Sequence, residues 1–361
     1  MDQSLLVTAS PHIRDTATTR GLMGTVLVGL APCIVASGLI FGYGALVTVA
    51  VTVLACVAFE YLYCLLRKKP NPVGDLSACV TGVILALNVP AGMPLWICVV
   101  GAFVAIVVVK QLYGGLGYNF ANPALVARIV LFVSFASRMT TYVYPDLAVD
   151  ALASATPLQV VAEGGVQAAE QLSLLDLFLG NHGGMLGETC VLAILLGLAL
   201  MLAFGTIEIT IPASITVTVF LCSWAATGSV QTALVEIMSG GLLFGAVFMA
   251  TDYVTSPFTT KGKLFYGVFI GLITFAIRTF GSMNEGMSFA ILLGNLMTPW
   301  FNAWSRQVPL GFSKKKAKQK KGGEAGWQQT RRKGSPPLRR WSPRSSSSLC
   351  SAWSAVRRLR G

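Results

Sequence analysis

The chain has 361 residues, 54% hydrophobic and only 12% charged, with a mean hydropathy of +0.68. Soluble domains carry about 25% charged residues, so this composition excludes a cytosolic enzyme, a disordered chain and a coiled coil, and leaves a polytopic membrane protein. The net charge of +12 sits in one place: residues 313–361 hold 15 Lys/Arg and one acid, Glu324, while the first 312 residues hold 12 Lys/Arg and 14 acids. Eight cysteines without a CxxC pair, and two histidines, give no pattern for a zinc site, an iron–sulfur cluster or bis-His haem.

A helix needs about 20 apolar residues to cross a bilayer. The polar first 20 residues show no cleavable signal pattern. Spans are then expected at Leu22–Phe41, Ala45–Leu66, Leu76–Val89, Pro94–Val109 and Ala121–Ala136. A polar interval follows, and five more are expected at Thr189–Ile207, Ile209–Thr227, Leu234–Ala250, Leu264–Phe280 and Met287–Trp304. Leu76–Val89 is short and ends at Pro90, as a broken helix inside a bundle would. With ten crossings and a cytoplasmic N-terminus, 25 of the 27 basic residues fall inside, and only Arg138 and Arg278 fall outside. Both termini are therefore expected in the cytoplasm, and 138–187 outside it. The tail, 313–361, has no apolar period and reads as a disordered basic segment at the membrane surface rather than a nucleic-acid arm.

The loop 138–187 separates repeat 1–137 from repeat 188–312. Five spans is an odd number, so the second set enters from the opposite side. The expected fold is all-α, with two inverted five-helix repeats and a site between them at short or broken helices. Two segments have that character: Ser77-Ala78-Cys79-Val80-Thr81-Gly82, and Ser239-Gly240-Gly241 leading to Asp252.

Three clusters stand out. Lys110 to Ala124 (KQLYGGLGYNFANPA) combines close-approach glycines with Gln111, Asn119 and Asn122, whose amides suit a ring bearing donors and acceptors; a capped cytoplasmic turn is the plainer explanation. Ala250 to Pro257 (ATDYVTSP) gathers hydroxyls around Asp252 at a membrane boundary. Asp150 to Leu158 (DALASATPL) has no compositional distinction and reads as ordinary loop. Glu60, Arg128, Glu208, Glu236 and Arg278 lie near span ends, where snorkelling to the interface is the default.

Together the three clusters resemble the D subunit of the Rnf electron-transport complex and its relative, the B subunit of the sodium-pumping NADH:quinone reductase. KQLYGGLGYNFANPAL and MATDYVTSPFTTKGKLFYG are the most specific pieces. Gly180-Asn181-His182-Gly183-Gly184 with Gly187-Glu188-Thr189, and Ser10-Pro11-His12-Ile13-Arg14, fit as well, and the likeness covers about residues 5–312. It implies a bacterial or archaeal inner-membrane component of an ion-translocating ferredoxin:NAD oxidoreductase. FMN would be joined by a phosphoester to Thr156 within a motif formed by Asp150, Ser154 and Ala155, with Ala153 departing from the usual Ser or Thr. By analogy, a second, non-covalent flavin such as riboflavin would sit near Asn119 and Asn122. The implied partners are a flavin transferase, membrane lipid, the membrane-helix subunits, an FMN-bearing G subunit and iron–sulfur B and C subunits, since this chain has no nucleotide fingerprint of its own. The quinone-reductase relative, or a non-redox ten-helix transporter, are the competing expectations.

Overall fold

The computed structural model describes residues 18–69, 72–142, 156–281 and 285–306, all within one compact unit, Met1–Arg306. The basic tail and the expected motif residues Asp150, Ser154 and Ala155 lie outside the described residues. Among the described residues the chain is helical, with a single antiparallel bridge between Pro90 and Met185.

The first set comprises α1 (Thr19–Phe41), α2 (Tyr43–Leu66), α3 (Ser77–Leu87), α4 (Leu95–Phe103, continuing as a π-helix through Val104–Gln111), α5 (Pro123–Ser134) and the short α6 (Ala136–Met139). Two helices, α7 (Pro157–Gln171, kinked at Gly165) and α8 (Leu174–Leu179), fill the interval. The second set is α9 (Val191–Ala203), α10 (Thr210–Thr227), α11 (Val230–Met238), α12 (Leu242–Phe244, continuing as a π-helix through Gly245–Met249), α13 (Thr260–Phe280) and α14 (Met287–Trp304). Start signals sit where the chain supplies them. Thr18 accepts from the Gly21 amide at 3.1 Å, Asn122 accepts from Ala124 and Leu125 ahead of Pro123, and Thr259 accepts from Gly262 at 3.0 Å.

Helices α1, α2, α10 and α13 are each long and apolar enough to cross a membrane. Their outward faces are apolar, with Leu39 81% and Phe280 83% exposed, a surface suited to lipid or to a neighbouring membrane helix. The expected eighth span is not straight: α11 and α12 meet at 62° across Ser239-Gly240-Gly241. Helices α3, α5 and α9 and the α4 segment are apolar but shorter. At about 1.5 Å per residue, the 11 residues of α3 cover roughly 16 Å, about half the hydrocarbon thickness. Its burial explains this: every residue but Cys79 is buried, so neighbouring protein rather than lipid meets its ends.

The two sets repeat one packing pattern. In the first, α2 packs on α3 and α4, and α4 on α5; in the second, α10 packs on α11 and α13, and α13 on α14. The sets run in opposite directions. Near the start of α1, Thr25 accepts a 2.9 Å hydrogen bond from Thr206, just beyond the end of α9, while Ile40 at the other end of α1 reaches Gly180. Likewise Phe132 late in α5 meets Phe289 early in α14. Small residues allow these contacts. A methyl group on Gly197 would collide with the Gly29 carbonyl, and one on Gly271 would lie 2.8 Å from Thr218 Cβ. Close backbone approach of this kind drives association where lipid competes for apolar surface.

Candidate functional site

The first two sequence clusters converge on one cavity. It is lined by Ser77, Thr81 and Ile84 of α3, by Lys110, Asn119 and Asn122, and by Thr251, Asp252 and Tyr253, and it encloses about 720 Å³ counting its mouth. Met23 at the start of α1 and Met201 near the end of α9 close its side, so it opens at the end of the bundle where the N-terminus enters. The cavity therefore lies between the opposed repeats.

Its polar groups divide into engaged and free. Asn122 caps α5, and its amide also donates to the Met249 carbonyl at 3.4 Å, tying the two repeats together. Asn119 donates to the Ala121 carbonyl, while its Oδ1 is buried without a partner. Asp252 accepts from the Val254 amide and the Thr255 hydroxyl, and burial pushes its carboxyl up against those two bonds. Gly114, Gly115 and Gly117 all have positive φ, which a side chain would oppose. Gln111 is not a ring partner: it is 3% exposed, and its amide donates to Glu60 at 2.8 Å.

Glu60 does not snorkel. It is 0% exposed and pairs with Lys110 at 2.7 Å; Lys110 also donates to Ser77 at 2.6 Å. The π-helical turn ending at Gln111 brings Lys110 and Gln111, adjacent in sequence, both onto this carboxylate. Only Glu208, among the five span-end charges, behaves as expected, 56% exposed on its side chain and paired with Lys263.

Arg128 is likewise buried, at 3% exposure. Its guanidinium reaches Glu285 at 2.5 Å, Glu188 at 3.7 Å and Asn88 at 2.8 Å. It belongs to the opposite end of the bundle from Lys110 and does not count as a cytoplasmic charge. Without Arg128 and the buried Lys110, the body still carries eight of its remaining ten basic residues on the expected inner side.

A second cavity, about 750 Å³ with its mouth, opens at this other end. Thr156, Gln159, His182, Glu188, Gly240 and Glu285 line it. Thr156 is more than a loop residue: it caps α7, accepting from the Gln159 amide at 3.3 Å while Gln159 Oε1 accepts from its own N–H at 2.9 Å. The glycine-rich run 180–190 folds inward rather than over the surface. Leu186 and Gly187 donate to the carbonyls of Val89 and Leu87, satisfying the end of α3. A methyl group on Gly187 would lie 2.7 Å from Leu87 Cβ, which is why glycine stands there. Burial pushes the His182 imidazole down, favouring its neutral form. Sequence reasoning missed Lys110–Glu60 and Arg128–Glu188–Glu285; an isolated acid and base inside separate apolar runs was the available signal. Among the described residues no His, Cys, Asp and Glu cluster could hold a metal ion.

Opposed membrane repeats with a polar cavity at each end, bridged by buried charge, define a polytopic membrane protein of the inverted-repeat class. The chain belongs to the NQR2, RnfD, RnfE family, whose model matches residues 6–311. It is 42% identical to the D subunit of the Na(+)-translocating ferredoxin:NAD(+) oxidoreductase complex of Acetobacterium woodii, over 88% of this chain and 98% of that protein. It is 33% identical to the D subunit of the proton-translocating ferredoxin:NAD(+) oxidoreductase complex of Clostridium ljungdahlii, over 84% and 96% respectively. It is also 33% identical to the D subunit of the ion-translocating oxidoreductase complex of Mannheimia succiniciproducens, over 85% and 98%.

Proposed function

We propose that this chain is the flavin-carrying membrane component of an ion-translocating ferredoxin:NAD oxidoreductase, with FMN attached at Thr156 and a second flavin in the inner cavity. The observation that carries the reading is the position of the Thr156 hydroxyl, on the wall of a roomy cavity at the end of the bundle opposite the N-terminus. The inner cavity suits a flavin ring on its own chemistry. It offers the unpartnered Asn119 Oδ1 to a ring N–H, and Lys110 lies on its wall. A bound flavin would supply reversible electron transfer. The protein would bind and orient it: the turn 113–118 brings backbone close, and the Glu60–Lys110 pair holds a cation at the wall.

Electron donors and acceptors would meet partner subunits, and ion movement would belong to the assembled complex. The termini would be cytoplasmic and the Thr156 cavity extracytoplasmic, a placement supported by the distribution of basic residues. The test is purification of the complex with its native flavin transferase, followed by a denaturing gel and peptide mass spectrometry. A fluorescent band and an FMN mass on the peptide containing Thr156 are expected. A colourless band would remove the covalent flavin, and a colourless band from a purified complex that also releases no flavin on denaturation would replace the redox reading with a transporter.

A further inference from the structure

The outer end of the bundle holds an unbalanced set of charges, two of them buried and three half-buried. On α5 stands Arg128; on the loop before α9, Glu188; just before α14, Glu285; on α11, Glu236; on α13, Arg278. His182 and Tyr142 also line the outer cavity, and Asn88 at the end of α3 accepts from Arg128. Arg278 donates to the carbonyls of Glu236 and Ser239 at 2.5 and 3.3 Å, so it is spent on the broken end of α11. Three carboxylates therefore stand with two guanidiniums, one negative charge in excess, and of the three carboxylates only Glu188 is buried, where an uncompensated charge costs most.

The excess is localised by the break between α11 and α12. A methyl group on Gly241 would strike Glu285 Oε1 and would lie 2.9 Å from Glu188 Oε2 and 3.0 Å from Arg128 Nη1. The two carboxylate oxygens thus converge on the space that Gly241 leaves open, at the start of the α12 half-helix. The same two oxygens face one guanidinium nitrogen, at 2.5 and 3.7 Å. Glu188 Oε1 accepts from the Met185 amide at 3.2 Å, but Glu188 Oε2 is buried without any hydrogen-bond partner. Glu188 is 6% exposed and lines the outer cavity.

We propose that Glu188 and Glu285 form a proton-binding site, holding one proton between them and exchanging it with the water of the outer cavity. Uptake converts one carboxylate and one hydrated proton to a carboxyl group and water, with no electron transferred. The bound proton gives Glu188 Oε2 the hydrogen it lacks and brings the five charged groups to neutrality. Burial first, and then the Glu285 carboxylate, push the Glu188 carboxyl up to about 8 against the pull of Arg128. The site stands whether or not a flavin is attached at Thr156.

The test is infrared difference spectroscopy of the purified complex, titrated with pH in ordinary and heavy water, with carbon-13 glutamate incorporated. A neutral glutamic acid carbonyl band is expected, shifting on labelling and deuteration and disappearing near pH 8. Glu188→Gln should abolish that band, whereas Glu170→Gln, an exposed control on α7, should leave it. Glu285→Gln should move the midpoint to lower pH, because one carboxylate then has Arg128 to itself. Absence of the band in the wild type at neutral pH overturns the proposal, and that result needs no variant to fold. Loss of the band on adding sodium at fixed pH also overturns it, since the excess charge would then be held by a metal ion. Flavin content, read on the same samples, separates failure of this proposal from failure of the flavin reading.

Discussion

Thr156 carries two expected duties on one oxygen, and substitutions separate them. Its hydroxyl caps α7 and is the expected point of attachment for FMN. Thr156→Ala removes both. Loss of a Thr cap costs about 1 kcal/mol, within a range of roughly 0.5–2, and here Gln159 loses half of a reciprocal pair. Thr156→Asn keeps a strong capping side chain but has no hydroxyl. Both variants should carry no FMN, yet only the alanine variant should melt lower, by about 2 °C for a domain of this size. Thr156→Ser should retain both functions. Thr141→Ala is the matched control, removing an exposed hydroxyl near the same end; Thr189 is unsuitable because it is 0% exposed. The assay is peptide mass spectrometry with a thermal melt of the same preparation. FMN on any other residue in Thr156→Asn would refute the assignment. Equal melting of the Ala and Asn variants would refute the capping argument.

Lys110→Met should destabilise the bundle by about 3–5 kcal/mol, because it strands Glu60 at 0% exposure, while the double variant with Glu60→Gln should recover most of that loss in a thermal melt. A single variant as stable as wild type would refute the reasoning from the buried pair. Glu188 has a raised folded-state pKa, so its contribution to stability is fully present below about pH 4.5 and is lost as pH rises towards about 8. The unfolded chain loses that proton first and so gains relative stability across the window; Glu188→Gln should flatten the pH dependence of melting there. Cysteine at Gln167, exposed on α7, should react with an impermeant maleimide in intact cells. Reaction only after lysis would invert the topology.

The spans were legible because lipid-facing apolar runs are long and continuous, as in α1 and α2. The short α3 was also visible, since Pro90 and small residues mark a helix that protein encloses. Ser239-Gly240-Gly241 was singled out as a break, but its 62° angle was not, because apolar composition continues across it and hydropathy carries no direction. Asn119 and Asn122 were identified by type, and the structure does bring them to the cavity with Asp252. Gln111 was assigned by the same logic and is occupied elsewhere, since the π-helical turn rotates it onto Glu60. Arg128 and Glu188 lie 60 residues apart in the chain; Arg128 was read as a span-end charge and Glu188 only as part of the run before the sixth span. Only the opposed packing of the repeats brings them together, and no local pattern reports it.

The seam between α1 and α9 bears on how the protein is made. Gly29 rests against Gly197, which leaves the ribosome 168 residues later. At about 5–20 residues per second, α1 waits roughly 10–30 s for its partner. Throughout that interval a groove shaped for another backbone lies open in the bilayer, filled imperfectly by acyl chains. Assembly of the two repeats is in this sense a reunion of distant parts of a nascent chain, timed by translation rather than by the affinity of the finished interface.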